Sequence, residues 1–200
     1  FSLFITLEPA FMKILVLNYE YPPLGGGAGV IARYIAEGLA ERGHELSVLT
    51  AWFPDLEADC EEKGVRVIRL KSKRKHLFRS HPAEMMSWVR KAKKYLRSHL
   101  NEEKYDVCFA HFALPGGDVA YHAEAKSGLP YVLISHGHDI PWFFPKQMFW
   151  YHLLTYHWIH RIVINSKALF VQSDAMEKNA GKFLGKKYSH LIRQIPNGWD

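Results

Sequence analysis

Residues 12–43 decide the fold and read MKILVLNYEYPPLGGGAGVIARYIAEGLAERG. The stretch opens with a short apolar run, 14–17, which is typical of a parallel strand covered on both faces. A turn rich in proline and glycine follows, and apolar residues then recur at helical spacing over 30–39 until Gly43 ends the pattern. This order predicts a strand, a loop and a helix that form one unit of an α/β protein.

The rest of the chain continues to alternate short apolar runs with helical patterns. Further strands are predicted at 46–50, 65–70, 107–112, 131–135, 168–172 and 191–195. Helices are predicted at 82–100, 117–127, 146–165 and 175–184. Because strands that alternate with crossover helices form right-handed βαβ units, the predicted fold class is α/β with a doubly wound parallel sheet.

Composition limits the classes of protein that the chain can represent. Its 200 residues, 48% hydrophobic and 23% charged, suit one globular domain, and no apolar run reaches the roughly 18 residues of a membrane span. Cys60 and Cys108 have no partners at metal-ligand spacing, so we expect two packing thiols and a reducing, cytoplasmic setting. The net charge of +6 predicts an anionic partner: nucleic acid, a phosphorylated substrate or a membrane surface.

Two segments are distinguished along the chain. Met12 followed at once by a strand is typical of a natural start, so residues 1–11 are expected to be a leader or a vector-derived segment. They are apolar but lack the basic region and the small-residue cleavage site of a signal peptide. Residues 12–200 are expected to form the domain.

The turn after the first predicted strand carries four glycines in the five positions 25–29. Ligands of such sheets sit at the carboxyl ends of the strands, and glycines before a helix N-terminus let backbone N–H groups approach a phosphate. Val30 takes the third glycine position of a dinucleotide fingerprint and no Gly-Lys-Ser/Thr follows, so neither an NAD site nor a P-loop is expected. The loop predicts a phosphate-facing site, with an ordinary βα turn as the alternative.

Histidines follow two of the predicted strands, again at the carboxyl ends. One strand ends in Ser135-His136-Gly137-His138-Asp139, and the strand before it ends at His111. These positions converge on the edge that carries the glycine loop, where an imidazole can bond a sugar hydroxyl or a developing charge. A metal site competes, but Ile140 and Pro141 stand where a His-x-His-x-Asp-His run needs Asp and His, so no metal is expected. A purely structural role is the further alternative for each histidine.

An ordered set of motifs resembles family 4 glycosyltransferases. The motifs lie at 18–23 with the glycine loop, 39–50, 110–115, 135–139, 170–173 and 195–200. The last reads Ile-Pro-Asn-Gly-Trp-Asp, similar to the family's Ile-Pro-Asn-Gly-Val-Asp. Any one of these motifs is weakly specific, whereas the set in this order across the chain is highly specific.

The resemblance implies a GT-B enzyme, in which two Rossmann-like domains face a cleft. Such an enzyme moves a sugar from a nucleotide-sugar to a lipid, glycan or small-molecule acceptor, with retention of anomeric configuration. This chain would be its N-terminal, acceptor-side domain. No resident cofactor or essential metal is expected, because the nucleotide-sugar is a co-substrate. In the family, the residues that bind the nucleotide are a basic pair and a Glu-x7-Glu run, and they belong to a C-terminal donor-binding domain that this chain is expected to lack. The fragment alone is therefore expected to be inactive.

The resemblance also assigns roles to residues. Gly26 and Gly27 correspond to the glycine pair that lies against the donor diphosphate. His136 corresponds to the histidine that approaches the transferred sugar, where we expect a hydrogen bond rather than nucleophilic attack. Contacts with the acceptor or the sugar are expected from the other residues of this edge: Gly25, His111, His138, Asp139 and Trp142.

A basic stretch, 71–79, follows the third predicted strand and leads into a helix with a basic face. Charged side chains with an apolar insertion among them are expected of a contact with an anionic membrane surface, and this stretch has them at Lys73, Arg74, Lys75 and Phe78. Lipid-acceptor members of the family have a similar arrangement, which favours a peripheral protein on the inner face of the membrane. A solvated loop is the alternative, and nucleic acid is not expected because no nucleic-acid motif accompanies the charge.

Two other functions stay open at this point. One is a non-catalytic, sugar-phosphate-binding Rossmann-like module without a second domain. The other is a metal-dependent hydrolase that uses His111, His136, His138 and Asp139. Coding sequence beyond residue 200 with the Glu-x7-Glu run would favour the transferase, and stoichiometric zinc would favour the hydrolase.

Overall fold

The computed structural model describes residues 10–141, 146 and 148–196, and these fold into alternating strands and helices. The strands are β1 (Lys13–Leu17), β2 (Glu45–Ala51), β3 (Asp59–Glu62), β4 (Val65–Leu70), β5 (Val107–His111), β6 (Tyr131–Ile134), β7 (Leu169–Val171) and β8 (Ile192–Gln194). The α-helices are α1 (Gly27–Ala40), α2 (Pro82–Glu103), α3 (Asp118–Ser127), α4 (Phe149–Asn165) and α5 (Asp174–Tyr188). A wide helical turn, Phe112–Gly117, joins β5 to α3.

The strands of the described residues form one sheet in the order β3-β4-β2-β1-β5-β6-β7-β8. Neighbouring strands are parallel except β3 and β4, which are antiparallel. In the centre, Ile14 of β1 is in register with Leu46 of β2 on one side and Val107 of β5 on the other. The predicted α/β sheet is therefore confirmed. The strand order changes direction at β1, and ligands of such folds bind beside this switch point.

Helices cover both faces of the sheet. On one face, Ile14, Val16 and Val48 pack with buried alanines of α1. Because successive residues of a strand point to opposite faces, Leu15 and Leu17 lie on the other face, in the core cluster that includes α2 to α5. Both faces of β1 are thus apolar, as its sequence predicts for a central parallel strand.

The sequence pattern does not predict β3. Its four residues are Asp, Cys, Glu and Glu, which lack the apolar alternation that marks a strand. It pairs with β4 across a two-residue turn, Lys63 and Gly64, whose φ angles of 49° and 74° are typical of a type I′ hairpin. An ion pair of 2.7 Å between Asp59 of β3 and Arg66 of β4 adds to the strand pairing.

The helix bounds lie close to the predicted ones. α4 begins at Phe149, and α2 and α5 extend to Glu103 and Tyr188. Residues 1–9 of the expected leader and 197–200 of the last motif lie outside the described residues. Within the described ranges, no helix combines the length and the apolar character that crossing a bilayer requires.

Candidate functional site

Three neighbouring strands bring the predicted site residues to one edge of the sheet. β1, β5 and β6 are adjacent and parallel, so the loops that follow them leave from the same, carboxyl edge. Strand spacing puts the ends of β1 and β6 about 10 Å apart. The turn after β5 fills the space between them so closely that a side chain at Gly116 would collide with the carbonyl groups of His111 and Leu17. The glycine loop and the histidines therefore share one edge.

The first glycine of the loop shapes the turn between β1 and α1. Gly25 has a φ of +88°, and a side chain there would collide with Glu20. The N–H group of Gly25 donates to the carbonyl oxygen of Leu77 at 2.8 Å. Because this N–H group already donates to Leu77, it is not free to make the expected contact with a sugar.

Gly26 and Gly27 have free space around them, whereas Gly25 does not. A side chain at either position would meet no atom within 4 Å. Gly27 is the first residue of α1, and the first N–H groups of a helix have no acceptor within the helix. The two glycines therefore form an open cradle at the positive end of the α1 dipole, which suits an anion.

Glu20 lies in the motif at 18–23, but its place in the site does not follow from the sequence. Its Oε2 atom accepts a hydrogen bond from the N–H group of Gly26 at 3.3 Å, and its Oε1 atom lies 3.9 Å from Nη2 of Arg74. A carboxylate of the protein thus already uses one N–H group that a phosphate would need. No motif signals this contact, because it depends on how the loop folds back.

His111 and His136 form a hydrogen-bonded pair. Nδ1 of His111 lies 2.9 Å from Nε2 of His136, and the planes of the two rings are within 11° of parallel. His111 is completely buried, so the predicted contact with a sugar would require its ring to become exposed. Burial, and then the neighbouring His136, hold the pKa of His111 well below its usual range, and its imidazole is therefore neutral.

His136 is the member of the pair that reaches the edge of the sheet. It is partly exposed, and its ring packs 4.6 Å from the ring of Phe112, measured between centroids. Burial lowers the pKa of His136, although the charge of Asp139 acts in the opposite direction. A neutral imidazole offers one donor and one acceptor, which suits hydrogen bonding to a hydroxyl group.

Asp139 fixes the loop that carries His136. Its Oδ1 atom accepts hydrogen bonds from the hydroxyl of Ser135 at 2.8 Å and from the N–H group of His136 at 3.0 Å. Its Oδ2 atom accepts one from the N–H group of Ala113 at 2.8 Å, which ties this loop to the turn after β5. The carboxylate is buried and supports the backbone, so the predicted acceptor contact of Asp139 would require it to leave these partners.

His138 is exposed at the edge, as a ligand contact would require. Its carbonyl oxygen accepts a hydrogen bond of 3.1 Å from Nε2 of His152, a buried residue of α4. Burial lowers the pKa of His152, so α4 supports this loop through a neutral side chain. Trp142 lies outside the described residues. The described part of the chain contains no group of three His, Cys, Asp or Glu side chains arranged to hold a metal ion.

The basic stretch divides into exposed and buried residues. Lys73, Lys75 and Phe78 are exposed, and 74% of Phe78 is open to solvent. Arg74 is buried, and its guanidinium donates to the carbonyl oxygens of His76 at 3.0 Å and Leu77 at 2.7 Å. The predicted contact of Arg74 with a membrane would therefore require its charge to leave these acceptors inside the protein.

The fold and this edge define the class of protein. The family model described as "Glycosyl transferase 4-like domain" matches residues 26–198, and the chain belongs to this family. It is also 33% identical over 104 residues to an uncharacterized glycosyltransferase of Methanocaldococcus jannaschii. That match covers 50% of this chain and 25% of the relative.

Solved structures with the same fold include two GT-B glycosyltransferases. The chain resembles a sucrose-phosphate synthase from Thermosynechococcus elongatus with a TM-score of 0.75 and 16% identity, over 94% of this chain and 49% of that one. It resembles WaaG, a glycosyltransferase involved in lipopolysaccharide biosynthesis, with a TM-score of 0.58 and 19% identity, over 92% of this chain and 45% of that one. At this identity the likeness shows the fold, and the chain spans about half the length of these structures.

Proposed function

We propose that this chain is the acceptor-side half of a retaining glycosyltransferase, which moves a sugar from a nucleotide-sugar to a lipid, glycan or small-molecule acceptor. The observation that carries the proposal is the open cradle of Gly26 and Gly27 on the same edge as His136. Membership of the glycosyl transferase 4-like family supports it.

The chemistry requires little of this half beyond binding and orientation. The bond between the anomeric carbon and a phosphate oxygen breaks, and the diphosphate leaves with the electron pair. The acceptor oxygen bonds to that carbon as its hydroxyl proton passes to the departing diphosphate. The charge that develops on the diphosphate would be stabilised by the N–H groups at Gly26 and Gly27 and by the α1 dipole. Glu20 would have to release the N–H group of Gly26 first. His136, which is neutral, would hold a sugar hydroxyl and would not attack the sugar.

The nucleotide contacts would come from a second half of the protein. The two GT-B structures are about twice as long as this chain, since the chain covers 49% and 45% of them. On its own, the chain is expected to bind donor weakly and to transfer no sugar. Neither half needs a resident cofactor in this proposal, because the nucleotide-sugar supplies the reactive group.

A peripheral position on the cytoplasmic face of a membrane is part of the proposal. The exposed side chains of Lys73, Lys75 and Phe78 lie on the loop that touches the glycine loop, through the hydrogen bond between Gly25 and Leu77. Two cations beside an exposed aromatic ring suit an anionic lipid surface. Such a contact would place a lipid-linked acceptor next to the cradle.

Sugar transfer by the complete protein tests the proposal, with a panel of nucleotide-sugars as donors and chelator present. We expect transfer with retention, and we expect Gly27→Asp to reduce it at least a hundredfold by placing a carboxylate in the cradle. Gly43→Asn is the matched control, because this glycine lies beyond the other end of α1 and Asn tolerates its φ of +87°. Binding of a sugar phosphate without transfer by any donor would favour the non-catalytic module instead.

A further inference from the structure

One ring nitrogen of His111 has no hydrogen-bond partner among the residues that the structure describes. Nε2 of His111 is buried and finds no donor or acceptor within the described part of the chain. The other nitrogen, Nδ1, faces Nε2 of His136 at 2.9 Å. Since both imidazoles are neutral, only one of the two facing nitrogens can carry a proton. The direction of this hydrogen bond therefore fixes the tautomers of both residues.

The two directions differ in what they leave inside the core. If Nε2–H of His136 were the donor, the proton of His111 would sit on its own Nε2, as a buried N–H group without an acceptor. If Nδ1–H of His111 is the donor, its Nε2 keeps only a lone pair. Buried N–H groups without acceptors are rarer and more costly than acceptors that lack a donor. Burial of His111 therefore favours the second direction.

We propose that His111 is a positioning residue whose Nδ1–H group holds His136 in its Nδ1–H tautomer. His136 then presents a hydrogen-bond donor to an oxygen atom of the transferred sugar, a step that rests on the proposed function. Asp139 holds the backbone N–H group of His136, so the choice of tautomer falls to His111. A free histidine in water favours the Nε2–H form, and the pair thus selects the less common tautomer.

This assignment separates two roles for His136. With Nε2 occupied as an acceptor and Nδ1 already protonated, the neutral ring has no free lone pair with which to take a proton from an acceptor hydroxyl. His136 therefore acts as a fixed hydrogen-bond donor and not as a general base. The hydrogen bond between the two rings, whose planes are within 11° of parallel, restrains the direction in which that donor points.

The tautomer can be read directly from the 15N-labelled chain. Long-range 1H–15N correlation spectra, recorded above the ordinary histidine pKa of about 6.5, distinguish a protonated ring nitrogen from a bare one. We expect protonated Nδ1 and bare Nε2 for both His111 and His136. A protonated Nε2 in His136 would overturn the proposal without any variant being made.

Variants then test whether His111 is the cause. His111→Phe removes the donor, and His136 should shift to the Nε2–H form. His111→Asn keeps an amide N–H group near the position of Nδ1, and His136 should stay as it is. His122→Phe, at a partly buried histidine of α3, is the matched control and should change nothing at His136. An unchanged tautomer in His111→Phe contradicts the proposal, and if that variant does not fold, the unmodified chain and His111→Asn still decide it.

The spectra are independent of the proposed function. A complete protein that transfers no sugar while His136 shows protonated Nδ1 would contradict the function alone. Active transfer with protonated Nε2 would contradict the positioning role alone.

Discussion

The guanidinium of Arg74 lies over the ring of Tyr19, 4.6 Å from its centroid, and both side chains are buried. The same guanidinium donates to the carbonyl oxygens of His76 and Leu77, and Leu77 accepts the N–H group of Gly25. Arg74 therefore connects the basic stretch to the segment that follows β1 and to the glycine loop. A residue that its sequence context assigns to the surface is part of the support for the site.

Arg74→Ala should lower the free energy of unfolding by about 2–4 kcal/mol, because it leaves buried carbonyl groups without donors and removes the contact with Tyr19. Arg74→Lys should recover only part of the loss, since an ammonium cannot reproduce the planar fork. Denaturant unfolding measures both. Lys75→Ala changes an exposed neighbour and should stay within about 0.5 kcal/mol of the unmodified protein. Equal effects at the two positions would contradict the buried role of Arg74.

Asp139→Ala should destabilise the chain by about 2–4 kcal/mol, because three donors lose their acceptor in a buried position. Ser135→Ala removes one of these donors and should cost about 1 kcal/mol. The Ser135→Ala variant serves as the control. Amide exchange at Ala113 and His136 should accelerate more in Asp139→Ala than in Ser135→Ala. Protection that stays unchanged would show that the carboxylate does not hold these groups.

Glu20→Gln should increase the affinity of the chain for a diphosphate. The carboxylate uses the N–H group of Gly26 and repels an incoming anion, and the amide removes that charge while keeping the size of the side chain. We expect a tenfold lower Kd, equivalent to about 1.4 kcal/mol, measured by titration with a nucleoside diphosphate. Glu41→Gln, at an exposed position beyond the end of α1, is the control. A Kd that rises in Glu20→Gln would instead indicate that the carboxylate helps to bind the ligand.

Glu103 should make stability depend on pH in the acidic range. The hydrogen bond to Lys13, and to a smaller extent the one to Arg66, lowers the pKa of the Glu103 carboxyl, although partial burial acts in the opposite direction. Stability from a lowered carboxyl pKa is present above the unfolded value of about 4.3 and is lost as the pH falls through the folded value. Glu103→Gln should cost about 1 kcal/mol at neutral pH, since solvent screens these pairs, and nothing at pH values below both pKa values.

The control for that experiment is Glu102→Gln, which changes an exposed carboxylate one residue earlier. It should leave the free energy of unfolding within about 0.5 kcal/mol at every pH. A Glu103→Gln difference that persists in acid would show that packing, and not charge, is the cause.

Replacement of Lys73 and Lys75 by Glu, together with Phe78→Ser, should reduce binding to anionic vesicles at least tenfold in a sedimentation assay at low salt. Each basic residue near such a surface contributes about 1 kcal/mol. The matched control is Trp150→Ser with Leu154→Ser, which alters exposed apolar side chains of α4. Loss of binding in the control alone would move the membrane contact to α4.

The sequence predicts those parts of the fold and site that depend on local patterns. The apolar run of β1, the glycine loop and the helical period of α1 lie within one continuous stretch, and the carboxyl edge follows from the strand order. The buried positions of His111 and Arg74 do not follow from local patterns. Each depends on partners far along the chain, His136 and Tyr19, and a histidine or arginine in isolation gives no sign of such a partner.

The hairpin strand β3 lies at one outer edge of the sheet, so it determines whether a strand of another chain can pair there. Outermost strands expose unpaired N–H and C=O groups that attract further strands. Here that position is held by four residues, of which Asp59, Glu61 and Glu62 are acidic. Short, charged edge strands are poor templates for a further strand, so the acidic residues that make β3 hard to predict from the sequence also make this edge unfavourable for sheet extension.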